Sequence, residues 1–111
     1  ETIQGILVVH PRLGPLEDDE AITRLRDELN AWVGSTGFEG RVVIDLDQVP
    51  SMSSRVLGML LALALRLERQ GGRLRLCRAN ARVSAMLDAI RLPLLVDLLP
   101  TLDDAVISAW E

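Results

Sequence analysis

The sequence predicts an α/β fold built on a mostly parallel sheet. Short apolar segments of strand length alternate with longer segments of helical period, the pattern of a sheet with helices packed on it. One segment, Val42-Val43-Ile44-Asp45-Leu46, is β-branched and apolar on both faces, as a strand covered on both sides must be. Of the 111 residues, 49% are hydrophobic and 25% charged, which suffices for a folded core and excludes disorder. A chain of this length is expected to form one domain, residues 1–111.

The elements follow in order. Ile6-Leu7-Val8-Val9, bounded by Gly5 and Pro11, is too short for a helix and reads as the first strand. Ile22, Leu25, Leu29, Trp32 and Val33 then fall on one face of a helix. Glu17, Asp18, Asp19 and Glu20 precede it and suit the positive end of a helix dipole. They lack the alternating oxygen ligands and central glycine of a calcium loop. Gly34 to Gly40 forms a glycine-rich connector into the doubly covered strand. A second helix runs from about Ser54 to Gln70 and is stopped by Gly71-Gly72. Arg73-Leu74-Arg75-Leu76-Cys77 alternates polar and apolar, so a half-exposed strand is expected there. Val83, Met86, Leu87 and Ile90 mark a third helix with Asn80 as its cap. Leu94-Leu95-Val96, between Pro93 and Pro100, is the last strand candidate. Thr101 with Asp104 forms a variant capping box ahead of a helix burying Leu102, Ala105, Val106 and Trp110.

Composition excludes several functions. All twelve positive charges are arginine, and the net charge is −4, which argues against a nucleic-acid binder. Trp32, Phe38 and Trp110 are the only aromatics, so bases have no stacking platform. One cysteine, Cys77, and one histidine, His10, cannot make a disulfide framework, a zinc site or a triad. Cys77 reads as a small buried hydrophobe and His10 as a surface residue at a strand end. Without lysine there is no Walker-A loop, and no nucleophile elbow surrounds Ser54. Neither an enzyme nor a cofactor is expected. No secretory signal is read, and a reduced, cytoplasmic setting is the expectation. The start at Glu1 rather than a methionine fits a domain trimmed from a longer chain.

The second helix is anomalous. From Val56 to Leu65 it carries ten residues without a charge, too few to cross a bilayer and too apolar for a helix buried on one side. Either the fold covers it as a central core helix, or part of the run faces a partner. Its entry, Ser51-Met52-Ser53-Ser54-Arg55, follows a strand end, where ligands and partners meet open α/β sheets. Asp45, Asp47 and Ser51 to Arg55, with Val56 and Met59 on the helix, are the candidate contact residues.

The strand Val42 to Leu46, followed by Val49-Pro50-Ser51-Met52-Ser53-Ser54-Arg55-Val56-Leu57-Gly58, resembles the strand-loop-helix centre of STAS domains, the anti-sigma-factor antagonists. The resemblance continues through Gly71-Gly72 ahead of a strand, Val83 with Met86-Leu87, and Thr101-Leu102-Asp103-Asp104-Ala105, so it spans nearly the whole chain. It implies a four- to five-stranded sheet, parallel after its first strand, with about four helices mostly on one side. In such proteins a serine in Asp-Ser-Ser-Gly is phosphorylated by an anti-sigma kinase, and the unphosphorylated form binds that kinase. Position by position, the motif's Asp falls on Ser53, its first Ser on Ser54, its second on Arg55 and its Gly on Val56; Leu57 and Gly58 match. The resemblance makes Ser54, with Ser53 beside it, the phosphoacceptor candidate. It also implies that Arg55 and Val56 alter the surface a kinase reads. The implied partner is an anti-sigma factor or serine-kinase-like protein. The alternative is a STAS domain or subunit of a sulfate-type anion transporter or lipid ABC system, with membrane transporter subunits as partners. A homodimer is a further assembly open to it.

Overall fold

The computed structural model describes residues 2–3, 6–11, 19–33, 40–92 and 95–107. In chain order the elements are β1 (Thr2–Ile3), β2 (Ile6–Val9), α1 (Asp19–Val33), β3 (Arg41–Asp45), α2 (Ser54–Arg69), β4 (Arg73–Cys77), α3 (Ala81–Ala89), β5 (Asp97–Leu99) and α4 (Leu102–Ile107). The five strands lie in the sheet in sequence order; β1 is antiparallel to β2 and every later pair is parallel. The two-residue β1 is too short to leave a periodic signal in the sequence.

This order fixes where the helices sit. Right-handed crossovers that always step in one direction place successive helices on the same face. Leu29 of α1, Val56 and Leu60 of α2, and Val83 and Leu87 of α3 accordingly share one buried cluster with Leu7, Val42, Ile44, Leu74 and Leu76. The alternate strand residues Ile6, Val8, Val43 and Cys77 point to the other face and pack with Ala105 of α4. The expected α/β fold, with helices mainly on one side, is the fold observed.

Two expectations about the strands fail in detail. β4 is not half exposed: Leu74, Arg75, Leu76 and Cys77 are all buried, because α4 covers the second face. Arg75 reads as a solvent residue by alternation yet is 4% exposed. It is held by Asp97 Oδ2 at 3.1 Å and by the carbonyl of Ala105 at 3.1 Å. The last strand is Asp97–Leu99; Leu95 and Val96 precede it, and Leu94 lies outside the described residues. The amides of Leu95 and Val96 donate back to the carbonyl of Leu92 (2.8 and 3.1 Å), which spends them on a turn. Asp97 instead opens the ladder opposite Arg75 and also binds Arg73 through Nη2 at 2.7 Å.

Several local readings stand. Asn80 Oδ1 accepts from the Val83 amide at 2.8 Å, and Thr101 Oγ1 from the Asp104 amide at 3.1 Å, so both caps form. One does not: Ile90, expected on the face of Val83 and Leu87, lies just past α3 and is 38% exposed. Beyond α2, Gly71 turns at φ +78°, and the Gly72 amide returns to the Leu67 carbonyl at 2.7 Å. Gly72 is also pressed against Gly40, at the start of the neighbouring strand: a Cβ on Gly72 would stand 2.4 Å from the Gly40 oxygen. Glu17, Asp18 and Trp110, and the side chains of Asp19, Glu20, Ile22, Trp32 and Val33, lie outside the described residues.

Candidate functional site

Parallel strands end at a common edge, so the residues that close β2, β3 and β4 are brought together whatever their distance in sequence. Here they are His10, Asp45 and Arg78. Asp45 is 2% exposed. Its carboxylate accepts both Nε and Nη2 of Arg78 and, at 3.1 Å, the amide of Asp47. His10 Nδ1 lies 2.9 Å from Oδ2, a hydrogen bond when that nitrogen carries the proton. Burial alone would raise the Asp45 pKa, but Arg78, the Asp47 amide and His10 outweigh it and hold the carboxyl below its ordinary value. The bond to Asp45 correspondingly raises the pKa of Arg78, which adopts φ +56°. Cys77 lies beside this group, its Sγ 4.0 Å from Asp45 Oδ1. Burial first, and then the Asp45 charge, push its thiol up to about 11, so it is a neutral buried hydrophobe at neutral pH, as read from sequence.

The loop 46–53 leads from this edge to α2. The Val49 amide donates to the Leu46 carbonyl at 3.0 Å, and Asn80 Nδ2 reaches the carbonyls of Val49 and Pro50 at 3.4 and 3.2 Å. Asn80 therefore caps α3 with one side-chain atom and ties down this loop with another. Ser53 takes extended backbone angles (φ −85°, ψ 168°), and its Oγ accepts from the Val56 amide at 3.2 Å, which makes it the N-cap of α2. Ser54 is the first helical residue and is exposed. Ser53→Ala is therefore expected to lose about 1 kcal/mol of stability in urea denaturation. Ser54→Ala should stay within about 0.5 kcal/mol of wild type.

The structure divides the candidate contact residues. Asp47, Ser54 and Arg55 are exposed, and Ser51 and Met59 half-buried. Asp45, Met52 and Val56 are 2, 5 and 2% exposed and face the interior. Val56 therefore changes the core beneath the helix, not the surface above it, and of the two motif departures after Ser54 only Arg55 faces outward. Strand alternation places Asp45 with Val43 on the α4 face, whereas α2 rises from the opposite face. The loop 46–53 joins these two groups. His10 is drawn into the Asp45 cluster rather than standing alone at a strand end. Arg78 gave no sequence signal by itself, and aligning the three strand ends is what would have found it.

Within the uncharged run of α2, Val56, Leu60, Leu63 and Ala64 are buried against the core, while Gly58, Ala62 and Leu65 form an exposed outer stripe. Among the described residues no group of three His, Cys, Asp or Glu side chains could hold a metal ion. No described helix is long and apolar enough to cross a membrane.

A sheet in sequence order, parallel after its first strand, three helices on one face, and a serine-capped helix entered from the carboxyl edge define the class of small α/β domains to which anti-sigma-factor antagonists belong. The chain is a member of the STAS domain family, whose model matches residues 1–105. Among solved structures it is similar to an anti-sigma-factor antagonist (STAS) domain protein of Planctomyces limnophilus, at 18% identity and TM-score 0.80 over 96% of this chain and 93% of that one. A candidate anti-sigma factor antagonist of Thermotoga maritima is similar at 15% identity and TM-score 0.77, over 95% and 87%. A chain from the stressosome, a signal integration and transduction hub, is similar at 18% identity and TM-score 0.76, over 96% and 90%. None of the curated proteins matches the sequence.

Proposed function

We propose that this chain is a regulatory protein-binding module, contacting an anti-sigma factor of the serine-kinase type through the amino-terminal end of α2, with Ser54 as the acceptor of a controlling phosphate. The observation that carries the reading is the division of labour between adjacent serines. Ser53 satisfies the helix terminus, which leaves the exposed Ser54 without a capping duty. Serine caps a helix about as well as the aspartate of the family motif, so its presence at 53 keeps the geometry and removes only the charge.

A phosphate on Ser54 would add about −1.5 to −2 charges at the positive end of a 16-residue helix. The domain tolerates that charge, because the dipole and the orphan amides of the first turn favour it. Arg55 is exposed next door and adds positive charge to the same end. The effect falls on the partner, against whose surface the charge would be buried. Ser54→Glu is expected to bind a serine-kinase-type anti-sigma factor at least tenfold more weakly than wild type, about 1.4 kcal/mol, with Ser54→Ala unchanged. Titration calorimetry reads the affinities, and mass spectrometry after incubation with the kinase and ATP should place the phosphate on Ser54. Equal binding by Ser54→Glu, or phosphate on Ser53 alone, would refute the mechanism.

A further inference from the structure

The outer side of α2 meets α1 along a cleft of about 130 Å³ that shares only Met59 with the candidate contact residues around Ser54. Its floor is Leu29 from α1 and Met59, Ala62 and Leu63 from α2; Leu29 and Leu63 are buried, while Met59 and Ala62 open to the surface. Arg26 and Arg66 form its walls. Arg66 Nη1 donates to Asn30 Oδ1 at 2.7 Å, which spans the cleft and fixes the guanidinium at its rim. Among the described residues Arg66 has no carboxylate partner, in a protein with sixteen acids against twelve arginines. Arg26 has only the neighbouring Asp27 at 3.5 Å, both of them exposed.

We infer that this cleft docks an acidic peptide segment of a partner protein, which inserts one large apolar side chain between α1 and α2. The volume sets the size: an apolar cavity of about 150 Å³ accommodates benzene, so one phenyl or isobutyl group fills this one. The arginines set the charge, since two guanidiniums flanking an apolar floor complement carboxylates on either side of the inserted residue. A buried apolar anchor ringed by polar contacts is the usual form of a binding hot spot. This contact is separate from Ser54, which lies on the first turn of the helix, whereas the cleft occupies its middle and last turns.

Selection from a random peptide display library tests the inference without presupposing a partner. Enriched peptides are expected to be acidic around one Leu, Met or Phe. They should bind Arg66→Glu and Ala62→Trp at least tenfold more weakly than wild type by fluorescence anisotropy, and Ser54→Glu as tightly. Position 62 is exposed and position 66 lies at the rim, so both variants should keep the wild-type circular dichroism spectrum. No enrichment, enrichment of basic peptides, or binding that ignores both cleft variants would overturn it. So would a wild-type dimer in sedimentation that Ala62→Trp dissociates, since that assigns the cleft to a second copy. Loss of binding on Ser54→Glu alone would equally overturn it. Failure here leaves the Ser54 test unaffected, because that test reads a different end of the helix.

Discussion

Gly72→Ala is expected to lower the stability of the domain by about 3 kcal/mol, read from its urea unfolding midpoint. The added Cβ would stand 2.4 Å from the Gly40 oxygen and 2.8 Å from the Gly40 Cα. Both are backbone atoms that no rotamer change can move aside. Overpacking of this kind costs about 1–3 kcal/mol. Separating the two backbones also endangers the hydrogen bond from the Arg73 amide to the Gly40 carbonyl, 2.8 Å long and worth about another 1 kcal/mol. That loss is a large share of the roughly 5–15 kcal/mol available to a domain of this kind. Gly58→Ala is the contrast. Nothing lies within 4 Å of a Cβ at that helical position, so the same methyl should be neutral or gain up to about 1 kcal/mol. Equal effects at the two glycines would show that crowding at the β3–β4 start is not what makes Gly72 necessary.

The second large effect concerns the buried arginine of β4. Asp97→Asn is expected to destabilise by about 3 kcal/mol, whereas Arg75→Met should cost less than about 1.5 kcal/mol. The asymmetry follows from which charge each substitution leaves behind. Neutralising Asp97 takes a balancing carboxylate from the 4%-exposed guanidinium of Arg75, and breaking a buried pair costs about 3–5 kcal/mol. Asp97 is itself one-third exposed, which places the expected loss at the low end of that range. Removing Arg75 takes the buried charge away and leaves Asp97 paired with Arg73. Hydrogen bonding from Arg73, opposed by burial and aided by the charge of Arg73 and then by Arg75, holds the Asp97 carboxyl below its ordinary value. A depressed carboxyl stabilises the fold above its unfolded pKa of about 4 and loses that contribution as the pH falls through the folded value. Wild type should therefore lose stability below about pH 4 more steeply than Asp97→Asn. Parallel pH profiles would show that Asp97 is not part of the acid response.

Much of the fold was legible because its signals are periodic. The β-branched run at 42–46 could only be a covered strand, and the caps at Asn80 and Thr101 announced their helices. What escaped the sequence depends on where distant segments meet. Alternation at 73–77 marked Arg75 as a solvent residue, since nothing local reveals that α4 closes over it. The strand at 97–99 was misplaced because Leu94-Leu95-Val96 is the more apolar triplet, while pairing was decided by a turn at Leu92 and the reach of Asp97 to two arginines. At the candidate site the sequence located the serine pair and the helix it opens. Which serine caps, and that Val56 turns inward, became visible only from backbone angles and burial.

The sequential order of the strands has a consequence for how the chain is assembled. No strand has to insert between two that are already paired, so β3, β4 and β5 each find their neighbour in place as they emerge. Domains made on the ribosome form from the amino terminus onward, and this topology can be laid down in that direction without waiting for its end. The exception is α4, which must return across the finished sheet to touch β3, β4 and β5 together. Its docking gives the Arg75 side chain the Ala105 carbonyl, so β4 gains this buried contact only with the last helix of the fold.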